Sequence, residues 1–149
     1  GDGVVNPGNY KVLFGTNQNE LIEAAGGLKE GCEKVISGGP MMGFAMYTTD
    51  TPITKTSSSI LCMSKDEVSA CEPTACINCG RCVDACPSRI IPSRLADFAE
   101  RHDEEAFLKF NGLECVECGS CSYVCPAKRQ LKQAIGSMRK TALANKKKK

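Results

Sequence analysis

The spacing of apolar and polar residues in the first half of the chain predicts short strands and one helix. Thr16 is expected to cap a helix over residues 20–25, which carries Leu21 and Ile22 and is closed by Gly26-Gly27. Alternating or β-prone apolar residues predict strands over residues 10–14, 33–37 and 58–63. We therefore expect residues 1–65 to form a small α+β unit.

The second half of the chain has helical periodicity instead. Residues 65–74 form a polar connector, and apolar residues then recur three or four positions apart in three segments. Amphipathic helices are predicted over residues 92–101, over residues 103–110 before Gly112, and after Pro126. Their apolar stripes are, in order, Leu95, Phe98 and Ala99; Ala106, Phe107 and Phe110; and Leu131, Ile135 and Met138. Stripes of this kind usually form a core.

Length and composition limit the domain organisation. A chain of 149 residues holds one domain or two small ones, which excludes a large enzyme. Three parts are predicted: the α+β unit at 1–65, a cysteine-rich helical unit at 66–130, and a basic C-terminal helix and tail at 131–149. No apolar run approaches the roughly 20 residues that cross a bilayer, so no transmembrane span is expected. The opening Gly1-Asp2-Gly3, without Met, indicates an excised fragment.

Charge is distributed unevenly along the chain. Residues 128–149 carry nine basic residues and no acidic one, whereas positions 1–127 carry ten basic and seventeen acidic residues. An acidic body with a basic end favours contact of that end with a membrane surface or an acidic partner, and we expect no nucleic-acid partner. The alternative is a solvated terminus that contacts nothing.

Eleven cysteines dominate the composition, and eight of them form two runs that repeat, with Cys76 aligned on Cys115. Each run has the pattern Cys-x2-Cys-x2-Cys-x3-Cys-Pro, which is typical of bacterial iron–sulfur proteins. The runs read Cys76-Ile-Asn-Cys79-Gly-Arg-Cys82-Val-Asp-Ala-Cys86-Pro87 and Cys115-Val-Glu-Cys118-Gly-Ser-Cys121-Ser-Tyr-Val-Cys125-Pro126. Two copies make a chance match implausible.

The spacing predicts two [4Fe–4S] clusters that exchange one ligand. Three cysteines of a run bind three irons of one cluster, and the fourth binds the other cluster. Gly80 and Gly119 would bring backbone amides close to the sulfur atoms, and Pro87 and Pro126 would fix the exit of the chain. The first predicted ligand set is Cys76, Cys79, Cys82 and Cys125, and the second is Cys115, Cys118, Cys121 and Cys86.

Two other uses of the cysteines fit the sequence less well. The odd number of cysteines and the lack of a secretion signal argue against a disulfide framework. Structural zinc usually takes cysteines as separated pairs, so three equally spaced ones followed by Cys-Pro leave a surplus for a tetrahedral ion. The long segment between Cys86 and Cys115 holds two predicted helices, which favours a mostly α-helical ferredoxin domain over a small β-hairpin type.

The remaining chemically notable residues receive structural interpretations. Cys32 and Cys62 are predicted to be small buried apolar residues, and Cys71 lies close to the first run without being needed as a ligand. His102, the only histidine, is predicted to lie at the surface. The glycine-rich residues 38–43 match neither a dinucleotide fingerprint nor a phosphate loop, and no catalytic residues are predicted.

Several motifs together resemble a known family. They are Asn6-Pro7-Gly8-Asn9, Gly15-Thr16, Ala25-Gly26-Gly27, Gly38-Gly39-Pro40-Met41-Met42-Gly43 and Thr54-Lys55-Thr56, followed by the two cysteine runs. The combination is similar to the C subunit of the Rnf ion-translocating electron transport complex. The part before the cysteine runs resembles the soluble-ligand-binding β-grasp (SLBB) domain. The resemblance implies a β-grasp unit followed by a mostly helical two-cluster ferredoxin domain.

This resemblance implies electron transfer in a complex that couples ferredoxin and NAD to Na+ or H+ transport. The C subunit of that family is peripheral and lies on the cytoplasmic face of the bacterial membrane, next to the other Rnf subunits, with FMN and NADH bound in an upstream domain. Nothing in this chain resembles that upstream domain, so the chain alone is expected to carry electrons and not to oxidise NADH. The alternative is a ligand-binding adaptor, or a module of the cobalamin-reductase type, that uses the β-grasp unit.

Overall fold

The chain divides between Ala70 and Cys71 into two units in the computed structural model, which describes residues 1–148. The first unit contains a small sheet and one helix, and the second is helical. The predicted α+β class is therefore confirmed. The predicted boundaries at residues 65 and 130 stay predictions.

A three-stranded antiparallel sheet organises the first unit. The central strand β1 (Lys34–Ser37) pairs with β2 (Phe44–Ala45) on one side and β3 (Ile60–Met63) on the other. Ile36 lies opposite both Ala45 and Leu61, so the register places it in the middle of the sheet. A small core forms beside the sheet, because Val4, Ala25 and Cys62 are buried against one another.

The predicted helix of the first unit is confirmed as α1 (Gln18–Ala24), but its cap differs from the prediction. The residue that caps it is Asn17, not Thr16, because the Asn17 side chain accepts a hydrogen bond from the Asn19 amide at 2.9 Å. The helix ends where Gly26 and Gly27 both adopt φ of +85°, a conformation that costs a glycine little.

The strand prediction over residues 10–14 is wrong. These residues form no ladder within the described chain, and Leu13 and Phe14 are 83% and 69% exposed. Alternation alone does not make a strand, since a strand also needs a neighbour to satisfy its backbone groups. The strands predicted over 33–37 and 58–63 are confirmed as β1 and β3 with narrower bounds. The two-residue strand β2 was not predicted.

The second unit consists of helices that surround the two cysteine runs. They are α2 (Arg81–Asp84), α3 (Pro92–Glu100), α4 (Glu104–Lys109), α5 (Ser120–Tyr123) and α6 (Leu131–Lys148), with a 3-10 turn at Gly112–Glu114. The three longer helices confirm the three predicted amphipathic segments. Asp103 caps α4, because its carboxylate accepts a hydrogen bond from the Ala106 amide at 2.9 Å.

The core of the second unit lies where α3 packs along α6 and α4 covers them. Leu95, Phe107 and Ile135 are fully buried there, together with the α6 stripe residues Leu131 and Met138. Full burial of an aliphatic or aromatic side chain contributes about 1.5–3 kcal/mol, so these residues account for much of the stability of the unit. The predicted role of the stripes in core packing is confirmed for these residues and for Ala99, whereas Phe110, which was also predicted to pack in the core, is 41% exposed.

Several smaller expectations concern single residues. Cys62 is buried and Cys32 is half-buried, as expected of small apolar residues, whereas Cys71 is exposed. His102 lies at the surface, in a left-handed conformation with φ of 57°. Of the predicted basic tail, Lys149 lies outside the described residues. Among residues 1–148, no helix combines the length and the apolar character that crossing a membrane requires.

Candidate metal centres

The two cysteine runs fold in the same way, so the sequence repeat is also a structural repeat. The one-turn helices α2 and α5 begin and end at equivalent positions of their runs. Each follows a glycine in the left-handed region, Gly80 with φ of 78° and Gly119 with φ of 84°. A side chain is strained in that region, so these glycines make the tight turn between the second and third cysteines of each run.

Residues other than glycine also adopt the left-handed conformation at equivalent positions in and after the two runs. No sequence pattern predicted this conformation. Asn78 and Glu117 have φ of 54° and 55°, and Arg89 and Lys128 have φ of 52° and 54°. Each such residue costs on the order of 1 kcal/mol or more, a cost that is typical of backbone held in place for function. The runs therefore lose local stability in keeping their cysteines in one arrangement.

Three cysteines of the first run and one of the second line a common cavity of about 110 Å³, which we call the first thiol cavity. These cysteines are Cys76, Cys79, Cys82 and Cys125. Cys76 and Cys79 are exposed, and so is every residue from 71 to 81. Water therefore reaches the loop that carries these thiols.

Three cysteines of the second run and one of the first line another cavity, the second thiol cavity, of about 20 Å³. These cysteines are Cys86, Cys115, Cys118 and Cys121. The other walls include Ile90, Pro92 and Ile135, which are buried in the core between α3 and α6. This cavity is narrower and more apolar than the first.

The two thiol cavities contain the two ligand sets that the spacing predicts, including the exchange of Cys86 and Cys125. The structure thus brings all eight predicted residues together in the expected grouping, and ligation itself stays a prediction. In residues 1–148, no three histidine, cysteine or carboxylate side chains are gathered around the position of a single ion. The thiols of each set are distributed around a space instead.

The surroundings of three thiols of the second set shift their pKa values. Burial raises the pKa of the Cys121 thiol to about 11, and it also raises the pKa of Cys115. The Ser120 hydroxyl and amide act in the opposite direction and lower the pKa of Cys118, whose Sγ lies 3.5 Å from the Ser120 Oγ. Iron binds thiolates, so loading of this cavity must release protons and becomes easier as pH rises.

The second run also supplies a hydrogen bond to sulfur. The backbone amide of Glu117 donates to the Sγ of Cys115 at 3.4 Å, and the left-handed φ of Glu117 aims it there. Such hydrogen bonds stabilise thiolates and help set the reduction potential of iron–sulfur sites. Four thiols around a cavity, with an amide directed at one of them, are a donor set that fits a [4Fe–4S] cluster.

One charged residue beside these cysteines was missed by the sequence reasoning. Arg129 is one of the residues that line the first thiol cavity, and its guanidinium donates hydrogen bonds to Asp97 and Glu100 on α3. Asp97 and Glu100 precede Arg129 by 32 and 29 residues. No short-range pattern links residues so far apart, so only the placement of α3 beside the start of α6 identifies this cluster of charges.

Comparison with known families gives the class of protein. The family model described as a 4Fe-4S dicluster domain matches residues 75–129, which contain both cysteine runs. The model described as an SLBB domain matches residues 1–45. The chain is therefore a two-cluster iron–sulfur protein with an SLBB domain, and its cofactors are two [4Fe–4S] clusters.

Individual relatives confirm the resemblance found in the sequence. The chain is homologous to the C subunit of Rnf-type complexes. It is 40% identical, over 99% of its length, to the C subunit of the Na(+)-translocating ferredoxin:NAD(+) oxidoreductase complex of Acetobacterium woodii. It is 48% identical, over 91% of its length, to the C subunit of the proton-translocating ferredoxin:NAD(+) oxidoreductase complex of Clostridium ljungdahlii. It is 46% identical, over 89% of its length, to the C subunit of the ion-translocating oxidoreductase complex of Methanosarcina acetivorans. The chain spans about a third of the length of these relatives, namely 33%, 30% and 30%.

Proposed function

We propose that this chain carries single electrons through two [4Fe–4S] clusters as part of the C subunit of an ion-translocating ferredoxin:NAD oxidoreductase complex. The observation that carries the proposal is the crossed grouping of thiols, since each cavity takes three cysteines from one run and the fourth from the other. The names of the relatives support the setting in such a complex.

The residues that would hold the clusters are the four cysteines of each thiol cavity. A bound [4Fe–4S] cluster supplies a centre that accepts and returns one electron at a time. The exchange of Cys86 and Cys125 ties the two runs together, and α2 and α5 lie against each other between them. The two sites are therefore held close and at a constant separation, as stepwise electron transfer requires.

Zinc is the competing occupant, and the arrangement of the thiols favours clusters. Zinc–sulfur bonds of about 2.3 Å in a tetrahedron require thiolates about 3.8 Å apart. A space between the sulfur atoms is what a cluster needs and a single ion does not, and the thiols of the first set surround a cavity of about 110 Å³. The second cavity measures about 20 Å³, so at that site the cysteine spacing, and not the volume, favours a cluster.

The basic end of α6 is the part of this chain that we propose to meet the membrane or an acidic subunit. Lys140, Lys146 and Lys147 are exposed on this helix. Each lysine near an anionic membrane surface contributes about 1 kcal/mol to binding. We propose a peripheral position on the cytoplasmic face of the cell membrane, beside the other subunits of the complex and the flavin- and NADH-binding part of the C subunit.

Anaerobic purification followed by iron and sulfide analysis tests the cofactors. We expect about eight irons per chain and, after reduction with dithionite, an EPR spectrum of two neighbouring, spin-coupled clusters. Colourless protein with about two zinc ions per chain would refute the proposal.

A matched set of cysteine variants tests the ligands. Cys125→Ala removes the fourth thiol of the first cavity, and Cys86→Ala removes the fourth thiol of the second. We expect each variant to lose about half of the iron and to keep the EPR signal of the opposite site. Cys71→Ala is the control, because Cys71 is exposed and lines neither cavity. Equal loss of both signals from variants that circular dichroism shows to be folded would contradict the crossed assignment.

Vesicle binding tests the membrane contact. Deleting residues 139–149 would also remove Arg139, which donates a hydrogen bond to the Leu113 carbonyl at 3.1 Å, so a deletion there would disturb the fold. Replacement of Lys140, Lys146 and Lys147 by Gln keeps the helix and removes three charges. We expect weaker binding to vesicles that contain anionic lipid and no change with neutral vesicles. Unchanged binding to anionic vesicles would overturn the membrane role.

A ligand-binding adaptor is the second candidate function, and a groove in the first unit favours it. The groove measures about 300 Å³ and has an apolar floor that includes Ile22, Ile53 and Ile60 and a polar rim that includes Asn6 and Tyr10. This volume lies at the lower end of the range of volumes that small-molecule binding sites have. Titration with cobalamin tests the alternative: saturable binding at micromolar concentration supports it, and the absence of binding favours the electron carrier.

A further inference from the structure

A nearly buried cation lies beside one thiol cavity only. The Arg129 side chain is 11% exposed, and Arg129 is one of the residues that line the first thiol cavity, in the segment between the second cysteine run and α6. It does not line the second cavity. Burial of an uncompensated guanidinium is costly, so neighbouring groups must compensate its charge.

Two carboxylates of α3 hold the guanidinium in place. Its Nη2 lies 2.9 Å from the Asp97 Oδ1 and 2.9 Å from the Glu100 Oε1. Burial opposes the charged form, but these hydrogen bonds outweigh burial and keep the pKa of Arg129 above its ordinary value. Arg129 is therefore a permanent, fixed positive charge.

Of the three charged residues, only one lines the first thiol cavity. Arg129 is one of the residues that line it, whereas neither Asp97 nor Glu100 is. The carboxylate side chains are 37% and 56% exposed, and water screens their field more than it screens the field of the guanidinium. Of these three charged groups, the guanidinium is therefore the one whose charge acts most directly on the cavity.

We propose that the positive charge of Arg129 raises the reduction potential of the first cluster, and that Asp97 and Glu100 moderate this effect. The first cluster is the one held by Cys76, Cys79, Cys82 and Cys125. Reduction adds one electron and one negative charge to that site, with no bond broken and no proton taken up. A fixed cation at the wall stabilises the added charge. This inference rests on the proposed function, because it presumes that the cavity holds a cluster.

A merely structural role for Arg129 makes a different prediction. The ion pairs also join α3 to the segment before α6, and a clamp of that kind is weakened by removal of either partner. A tuning role predicts shifts of opposite sign, because removal of the cation favours the oxidised site and removal of the carboxylates favours the reduced site. The sign of the shift therefore separates the two roles.

EPR-monitored redox titration of the anaerobically purified protein provides the test. For Arg129→Gln we expect the oxidised-to-reduced ratio of the first site to rise about tenfold at a given potential, a shift of about 59 mV to more negative values for a one-electron couple. For the double variant Asp97→Asn, Glu100→Gln we expect a shift to more positive values. Arg129→Lys keeps the charge and should restore part of the potential. The second site is the internal control and should not move.

The signs of the two shifts decide the outcome. Opposite shifts confined to the first site support the proposal, whereas shifts of the same sign, or no shift with full iron content, overturn it. If Arg129→Gln fails to retain iron, the double variant alone decides the outcome. A shift to more positive potential then supports the proposal, and an unchanged potential overturns it. Protein without iron before any substitution would instead refute the proposed function.

Discussion

Gly112→Ala is expected to destabilise the second unit because there is no space for one added methyl group. Gly112 begins the 3-10 turn that follows α4 and is buried. A Cβ at this position would lie 2.5 Å from both Cδ1 and Cζ of Phe107. Phe107 is fully buried in the core, so its ring has nowhere to move. Overpacking of this kind costs about 1–3 kcal/mol.

Gly136→Ala is the matched control, since it is the same chemical change in the same unit. Gly136 lies within α6, and the nearest atom to an added Cβ is the Oε2 of Glu117 at 3.1 Å. That atom is the end of a flexible side chain, which can shift. An alanine is favoured over a glycine inside a helix by about 1 kcal/mol, so this variant should be as stable as the original or slightly more stable.

Urea unfolding under anaerobic conditions, followed by circular dichroism and by the visible absorbance of the clusters, measures both variants. With a denaturant dependence of about 2 kcal/mol per molar, Gly112→Ala should lower the urea midpoint by about 1 M. Gly136→Ala should leave the midpoint unchanged or raise it. A midpoint for Gly112→Ala equal to that of the original protein would refute the packing argument. An equal fall in both variants would show that the loss does not depend on Phe107.

Three further predictions concern hydrogen bonds and pH. Ser120→Ala removes a hydroxyl that stabilises the thiolate of Cys118, so the potential of the second site should become more negative in redox titration while the first site stays constant. Asp103→Ala removes the cap of α4 and should cost about 1 kcal/mol in urea unfolding, whereas Asp103→Asn should retain most of the stability. The hydrogen bond from Lys34 lowers the pKa of Asp66 in the folded protein. The contribution of this pair to folding stability is therefore complete above the ordinary aspartate pKa of about 3.9, and it is lost as pH falls through the lowered pKa of the folded state. Lys34→Met should remove this effect and raise the Asp66 pKa in NMR titration; an unchanged value would contradict the assignment.

Features that depend on local spacing were predictable from the sequence. The apolar stripe of α6 identified Leu131, Ile135 and Met138, and all three are buried. The cysteine spacing identified both groups of thiols, including the exchanged members Cys86 and Cys125. The local pattern determines which side chains share one face of a helix and which thiols share one loop. The exchange of Cys86 and Cys125 between loops was predicted from the ligation that this cysteine spacing has in two-cluster proteins.

Features that depend on residues distant in the sequence were not predictable. Residues 10–14 alternate as a strand does, yet a strand requires a partner, and no local pattern reports whether one is present. Arg129 acquires its role from Asp97, which precedes it by 32 residues and reaches it only after α3 packs on α6. The left-handed Glu117 is a third case, because the residue type does not favour that conformation and the fold imposes it.

The repeat makes the backbones of the two thiol cavities alike, so the difference between them must come from their surroundings. The first cavity is formed by an exposed loop and has Arg129 in its wall, while the second is closed by core residues such as Ile135. Solvation and a fixed cation both stabilise the more negative, reduced state, whereas an apolar wall destabilises it. These influences act in the same direction, against the hydrogen bonds to Cys115 and Cys118 that raise the potential of the second site, and we expect the first site to have the higher potential. An electron that enters the chain should therefore rest at the site that water reaches, which is also the site that a redox partner can approach.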